Sequence, residues 1–134
     1  MSDTDAVLFA NEAFYRAFAD RDEEAMADLW SATAQVACLH PGWGPLFGRD
    51  DVVESWIAII RNPVSPPLLC HDARAQVHGD TACVICFEEI AGNFLVATNV
   101  FVREGRVWKI VHHQAGPTSV RPEIETSSPA APLN

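Results

Sequence analysis

The sequence predicts an α+β fold in which three N-terminal helices pack on one face of a curved antiparallel sheet, and three observations predict it. Apolar side chains recur at three- and four-residue spacing through most of residues 3–61, the spacing turns to period two from residue 68, and turn dipeptides cut that second stretch at Gly79-Asp80, Gly92-Asn93 and Glu104-Gly105. Helices first and strands afterwards segregate into two layers, because strands joined by tight turns pair with each other and leave the helices to cover one face.

Asp3 or Thr4 can cap the first helix, in which Ala6, Phe9, Ala10, Ala13, Phe14, Ala17 and Phe18 form an amphipathic stripe. Asp20-Arg21-Asp22 breaks that helix, and Asp22 caps a short second one with Ala25, Met26, Leu29 and Trp30 on one side. Alternation over residues 34–40 places Val36, Cys38 and His40 on one face of a short strand. Pro41-Gly42-Trp43-Gly44-Pro45 continues neither regular structure and reads as a structured loop. Asp50 or Asp51 then caps a third helix carrying Val52, Val53, Trp56, Ile57, Ile59 and Ile60, which Asn62-Pro63 ends. Strands follow at roughly 68–78, 81–91, 94–103 and 106–114 as an antiparallel meander. Over residues 81–87 both alternating sets are apolar, so the outer sheet face needs cover too, and a homodimer through the convex face is expected. Residues 1–117 make one domain; residues 118–134, with few large apolar side chains, are expected to be a flexible tail.

A chain of 134 residues with 49% hydrophobic and 20% charged residues buries enough surface to fold without disulfides or a structural metal. Its net charge of -9, with nine basic residues scattered singly, argues against a nucleic-acid partner, which needs clustered Lys and Arg. No apolar run approaches the ~18 residues of a membrane span, and Met1-Ser2-Asp3-Thr4-Asp5 is acidic where a secretory signal is basic, so a cytoplasmic location is expected. Of Cys38, Cys70, Cys83 and Cys86, the C-x-x-C pair sits in an apolar, β-branched strand, where residues three apart face opposite ways and cannot grip one zinc ion. The two thiols of this pair are expected to be buried small hydrophobes in a reducing compartment, and no motif calls for a metal or cofactor.

The order of these elements, with Cys38-Leu-His-Pro-Gly-Trp43, Gly48-Arg-Asp50 opening a helix, and Ala97-Thr-Asn-Val-Phe101 leading to Val107-Trp-Lys-Ile-Val-His-His113, resembles the nuclear transport factor 2-like superfamily and within it the SnoaL-like group. The resemblance covers residues 5 to 117. It implies a cystatin-like roll: a strongly curved antiparallel sheet forming a cone around the helices, open at one end to a pocket. The superfamily spans ketosteroid isomerases, cyclases, dehydratases and non-catalytic association domains, so the fold alone selects no activity. The steroid isomerases carry an aspartate where this chain has His40-Pro41 and a helix-1 tyrosine where it offers Phe14, with Tyr15 pointing elsewhere.

Candidate site residues are those that reach the cone interior. On the last strand Trp108 and Ile110 are the core-like pair, which by alternation places His112 and Gln114 inward and His113 outward. Bulky Phe101 sets Asn99 inward as well. Glu88 and Glu89 each share an apolar face, so periodicity leaves both open; the resemblance favours Glu88. His40, Glu88 and His112 are thus the expected catalytic groups, with an imidazole or a raised carboxyl moving protons. Phe14, Trp30, Trp43, Trp56, Asn99, Phe101 and Gln114 are the expected walls and polarising groups for a small hydrophobic ligand. The expected function is a small-molecule-binding protein with a cofactor-independent isomerase, cyclase or dehydratase activity; the alternative is a non-catalytic binding or dimerisation module.

Overall fold

The computed structural model describes residues 1–123, so residues 124–134 of the expected tail lie outside the described residues. Helix α1 (Asp3–Ala19) is capped by Ser2, whose hydroxyl accepts the Asp5 N–H at 3.1 Å, one residue ahead of the expected Asp3 or Thr4. Its buried stripe is also rotated from the one that apolar spacing suggests. Val7, Asn11, Phe14, Tyr15 and Phe18 face the sheet, while Phe9 is 65% exposed. Two polar residues therefore occupy core positions. Helix α2 (Glu23–Leu29) is capped by Asp22 on the Ala25 N–H at 3.0 Å, as the sequence predicts. Helix α3 (Arg49–Arg61) follows Gly48 at φ 89°, without a side-chain cap. Asp50 and Asp51 thus stand in its first turn, where they complement the helix dipole, instead of capping it. At the far end of α3 the Arg21 guanidinium donates to the carbonyls of Ile60, Asn62 (3.0 Å) and Ser65 (3.1 Å), tying the α1–α2 corner to the end of α3.

Six strands make one curved sheet in the order β2-β1-β6-β5-β4-β3. They are β1 (Ala37–Leu39), β2 (Leu46–Phe47), β3 (Leu68–His78), β4 (Thr81–Ile90), β5 (Asn93–Glu104) and β6 (Val107–Pro117). The long strands β3 to β6 form the expected antiparallel meander. The sheet as a whole is mixed, because β1 runs parallel to β6, and Leu46–Phe47 of the Gly/Pro loop region adds β2 to the edge. Arg103 clasps α1 to the sheet through Asp3 (2.8 Å) and Asp80 (3.1 Å), its guanidinium lying 4.5 Å over the Trp108 ring.

Two β-bulges bend the sheet. One lies between His71 and Arg74 on β3, where Asp72 adopts φ 52°. The other lies on β6: Phe101 pairs with Ile110 but Val100 pairs with His112, leaving Val111 as the extra residue. Each bulge reverses the in-out alternation beyond it. The concave face consequently carries Ala82, Val84, Cys86 and Glu88 from β4, Ala97, Asn99 and Phe101 from β5, and Trp108, Ile110, His113 and Ala115 from β6. The convex face leaves Leu69, Ile85 and Val96 exposed.

Candidate functional site

The wide end of the cone holds a cavity of about 580 Å³. Phe18 and Leu68, Trp56 and Ile59 of α3, and Phe94 and Leu95 give it apolar walls, while His40, Glu88 and His113 supply polar groups. Trp43, half-exposed, stands against the His40 ring with centroids 4.6 Å apart. That combination of apolar walls and a few convergent polar groups is the usual anatomy of a small-molecule site.

Glu88 is 2% exposed. Its Oε2 accepts the Tyr15 hydroxyl at 2.6 Å and lies 4.0 Å from His113 Nε2. Burial raises its pKa to about 7, although the Tyr15 hydrogen bond pulls the other way. A carboxyl poised there exchanges its proton readily near neutral pH.

The hydrogen bonds around it fix the direction of each proton. An amide oxygen can only accept, so His113 donates its Nδ1–H to Asn99 Oδ1 at 2.5 Å and keeps a lone pair on Nε2. Asn99 spends its own protons on Asn11 Oδ1 (2.9 Å) and the Tyr15 oxygen (3.1 Å). The Tyr15 proton goes to Glu88, and burial together with the neighbouring Glu88 charge pushes the phenol pKa well above its usual value. Burial lowers the His113 pKa to about 3, so the ring is neutral at pH 7.

His40 obeys the same logic. The Ser55 hydroxyl gives its hydrogen to the Val52 carbonyl at 2.6 Å, so it accepts from His40 Nε2 at 2.9 Å and leaves Nδ1 as the imidazole lone pair. Burial lowers the pKa of this ring to about 4. The cavity thus contains two neutral imidazole acceptors and one carboxyl that titrates. Cys38, below His40, is pushed up to about 12 by burial and stays a thiol.

Set against the expected site residues, the structure brings His40, Glu88, Trp43 and Trp56 to the cavity. Asn99 faces inward at 0% exposure but stands behind Tyr15 and His113 and does not line the hollow. Phe14 is core, edge-on to Tyr15, Trp30 and Trp56, and Trp30 and Phe101 are buried without lining the cavity. Two placements are corrected outright. His112 and Gln114 face outward and His113 inward, because the extra residue at Val111 reverses the alternation that Trp108 and Ile110 begin. Tyr15 does not point elsewhere; the rotated stripe of α1 brings its hydroxyl to Glu88. Sequence reasoning therefore missed Tyr15, Asn11 and His113. The i, i+4 spacing of Asn11 and Tyr15 was the available signal, since it aligns both on the face of Phe14 and Phe18.

Glu89 faces outward to His71 at 2.8 Å. Of the C-x-x-C pair, Cys86 is buried and Cys83 is partly exposed beside Gln76, on opposite faces as the strand reading requires. The partial exposure of Cys83 departs from the expectation that both thiols of the pair are buried, and Cys70 is also only partly buried. Among the described residues no cluster of three His, Cys, Asp or Glu side chains is arranged to hold a metal, and no helix is long and apolar enough to cross a membrane.

Comparison with known proteins gives this geometry a context. Residues 7–118 match the model of the SnoaL-like domain. A solved structure of a proposed dehydratase of the NTF2-like family from Streptomyces avermitilis is 35% identical, with TM-score 0.80 over 88% of this chain and 97% of that one. A proposed calcium/calmodulin-dependent protein kinase type II association domain from Thiobacillus denitrificans is 30% identical, with TM-score 0.72 over 82% of this chain and 93% of that one. F-box protein SKIP8 of Arabidopsis thaliana is 30% identical over 115 residues, 84% of this chain and 49% of that protein, so the chain spans about half the length of the curated relative it matches.

Proposed function

The chain belongs to the SnoaL-like domain family, and from that premise we propose that it binds a small, mostly hydrophobic molecule in its cone and catalyses a cofactor-independent proton transfer on it, of the isomerase, cyclase or dehydratase type. The observation that carries this reading is Glu88: a carboxyl on the wall of an apolar cavity, held by the Tyr15 hydroxyl and titrating near pH 7. Glu88 gives a proton to, or takes one from, a carbon or hydroxyl of the bound molecule. The lone pairs on His40 Nδ1 and His113 Nε2 accept from a donor on that molecule, and the indoles of Trp43 and Trp56 hold its apolar body. Tyr15 and Asn99 are positioning residues, acting through Glu88 and His113. The 35% identical neighbour described as a dehydratase supports the same direction.

The test is hydrogen exchange. In deuterated buffer, a panel of small ketones and β-hydroxy carbonyl compounds is followed by proton NMR; loss of the α-proton signal with wild type but not with Glu88→Gln is expected. Compounds that bind with no exchange in either protein favour the second reading, a non-catalytic module, to which the association-domain neighbour at 30% identity lends support. Either reading is compatible with a homodimer formed through Leu69, Ile85 and Val96 on the convex face, which the exposed apolar area there supports.

A further inference from the structure

A second cavity, of about 600 Å³, lies between α1 and β3, with Leu68 shared between its lining and that of the first. Asn11, Tyr15 and Cys70 line it. Cys70 is partly exposed and receives the Asn11 Nδ2–H at 3.8 Å. Cys86 lies on the same inner face of the sheet: Cys70 pairs with Glu88, and Cys86 is two residues along β4 from that partner. Its sulfur is 3.3 Å from the Tyr15 oxygen. Asn99 ties Asn11 to Tyr15, so both sulfurs belong to one small polar cluster.

The two thiols shift each other's ionisation in opposite senses. The Cys70 thiol is lowered, first by Cys86, and the Cys86 thiol is raised, first by Cys70. The thiol with access to solvent is thus the one that ionises more easily, and its buried neighbour keeps its proton. The β3 bulge between His71 and Arg74 begins next to Cys70, where a strand departs most easily from regular pairing.

We propose that Cys70 is a peroxide-reactive thiol and that Cys86 resolves its oxidised form into a Cys70–Cys86 disulfide. In the first step the Cys70 thiolate attacks one peroxide oxygen; the O–O bond breaks, a sulfenic acid forms, and the leaving oxygen departs as hydroxide or alkoxide that water protonates. In the second step the Cys86 sulfur attacks the sulfenic sulfur, the S–S bond forms, and the sulfenic hydroxyl leaves with the Cys86 proton as water. The peroxide is the oxidant and is reduced by two electrons. This chemistry is independent of the proton-transfer activity proposed for the main cavity, though it consumes the thiol that touches Tyr15.

The test is mass spectrometry on the whole chain in a Cys83→Ser background, which removes the other partly exposed thiol. Hydrogen peroxide is expected to reduce the intact mass by two hydrogens, reversibly with dithiothreitol, and peptide mapping is expected to join Cys70 to Cys86. Adding Cys86→Ser is expected to stop the reaction at a sulfenic acid on Cys70 that dimedone traps; adding Cys70→Ser is expected to leave Cys86 unoxidised. Peroxide that leaves the Cys83→Ser chain unchanged, a disulfide joining another pair, or dimedone on Cys86 in place of Cys70 overturns the proposal. Mapping the unsubstituted chain supplies the same distinction without relying on any variant to fold.

Discussion

Glu88 carries an energetic signature that can be read apart from any reaction. Its carboxyl titrates at about 7 in the folded chain against an ordinary 4.5. A folded pKa raised above the unfolded one means that the folded state holds a proton the unfolded state has lost. Stability from this group therefore falls as pH rises from about 4.5 to about 7 and is level beyond. At roughly 1.4 kcal/mol per unit, the ionised carboxylate costs the fold about 3 kcal/mol at pH 8. Glu88→Gln, which can still accept from Tyr15, is expected to melt clearly above wild type at pH 8 and close to it at pH 5; an equal difference at both pH values would contradict this. His113 and His40, lowered to about 3 and about 4, act in the opposite sense and remove stability as pH falls below about 6.5. Tyr15→Phe removes a donor that favours the carboxylate, so it is expected to move the Glu88 midpoint further up and to destabilise by about 1–3 kcal/mol through the unpartnered Asn99 proton. Carbon-13 titration of the carboxyl and thermal melts check both effects. At this scale the sequence was only partly legible: Glu88 and Asn99 are inward, but a polar Tyr15 inside an otherwise apolar stripe is recognised only once its partners across the sheet are known.

At the scale of elements, period and punctuation sufficed for what is local. The bounds of β3 match the predicted 68–78, and Asp22 caps α2, because alternation, turn dipeptides and caps are decided within a few residues. The β6 bulge is a different matter. No glycine or proline marks Val111; the extra residue exists because the sheet must bend around the helices, a requirement set by the whole cone. The same residue decides which member of the His112-His113 pair meets Glu88. Deleting Val111 would restore unbroken alternation from Ile110 to His112 and His113, and so keep His113 on the inner face. The deletion variant is expected to fold with lower thermal stability, from the lost bend, and with the His113 imidazole still held well below its ordinary pKa by burial. A His113 ring titrating in the ordinary range would show that the bulge, and not the alternation, holds it on the inner face.

For the whole molecule, the α+β class followed from the order of elements and the wrapped sheet from the family resemblance, while the parallel pairing of β1 with β6 followed from neither, since a three-residue strand carries no signal of its partner. The two apolar faces of β4 foretold that the outer surface would be apolar as well: Ile85 is 49% exposed and Val96 41%. Sedimentation at micromolar concentration is expected to give twice the 14.7 kDa chain mass, and Ile85→Asp with Val96→Asp to return it to the single-chain value. Wild type sedimenting as one chain would contradict the dimer without touching the cavity. The chemistry proposed for the cavity rests on one carboxyl kept half-protonated among apolar walls. The most direct measurement is the carbon-13 titration of the side-chain carboxyls: one resonance with a midpoint near 7, absent in Glu88→Gln, is the expected result, and a full set titrating below pH 5 would contradict it.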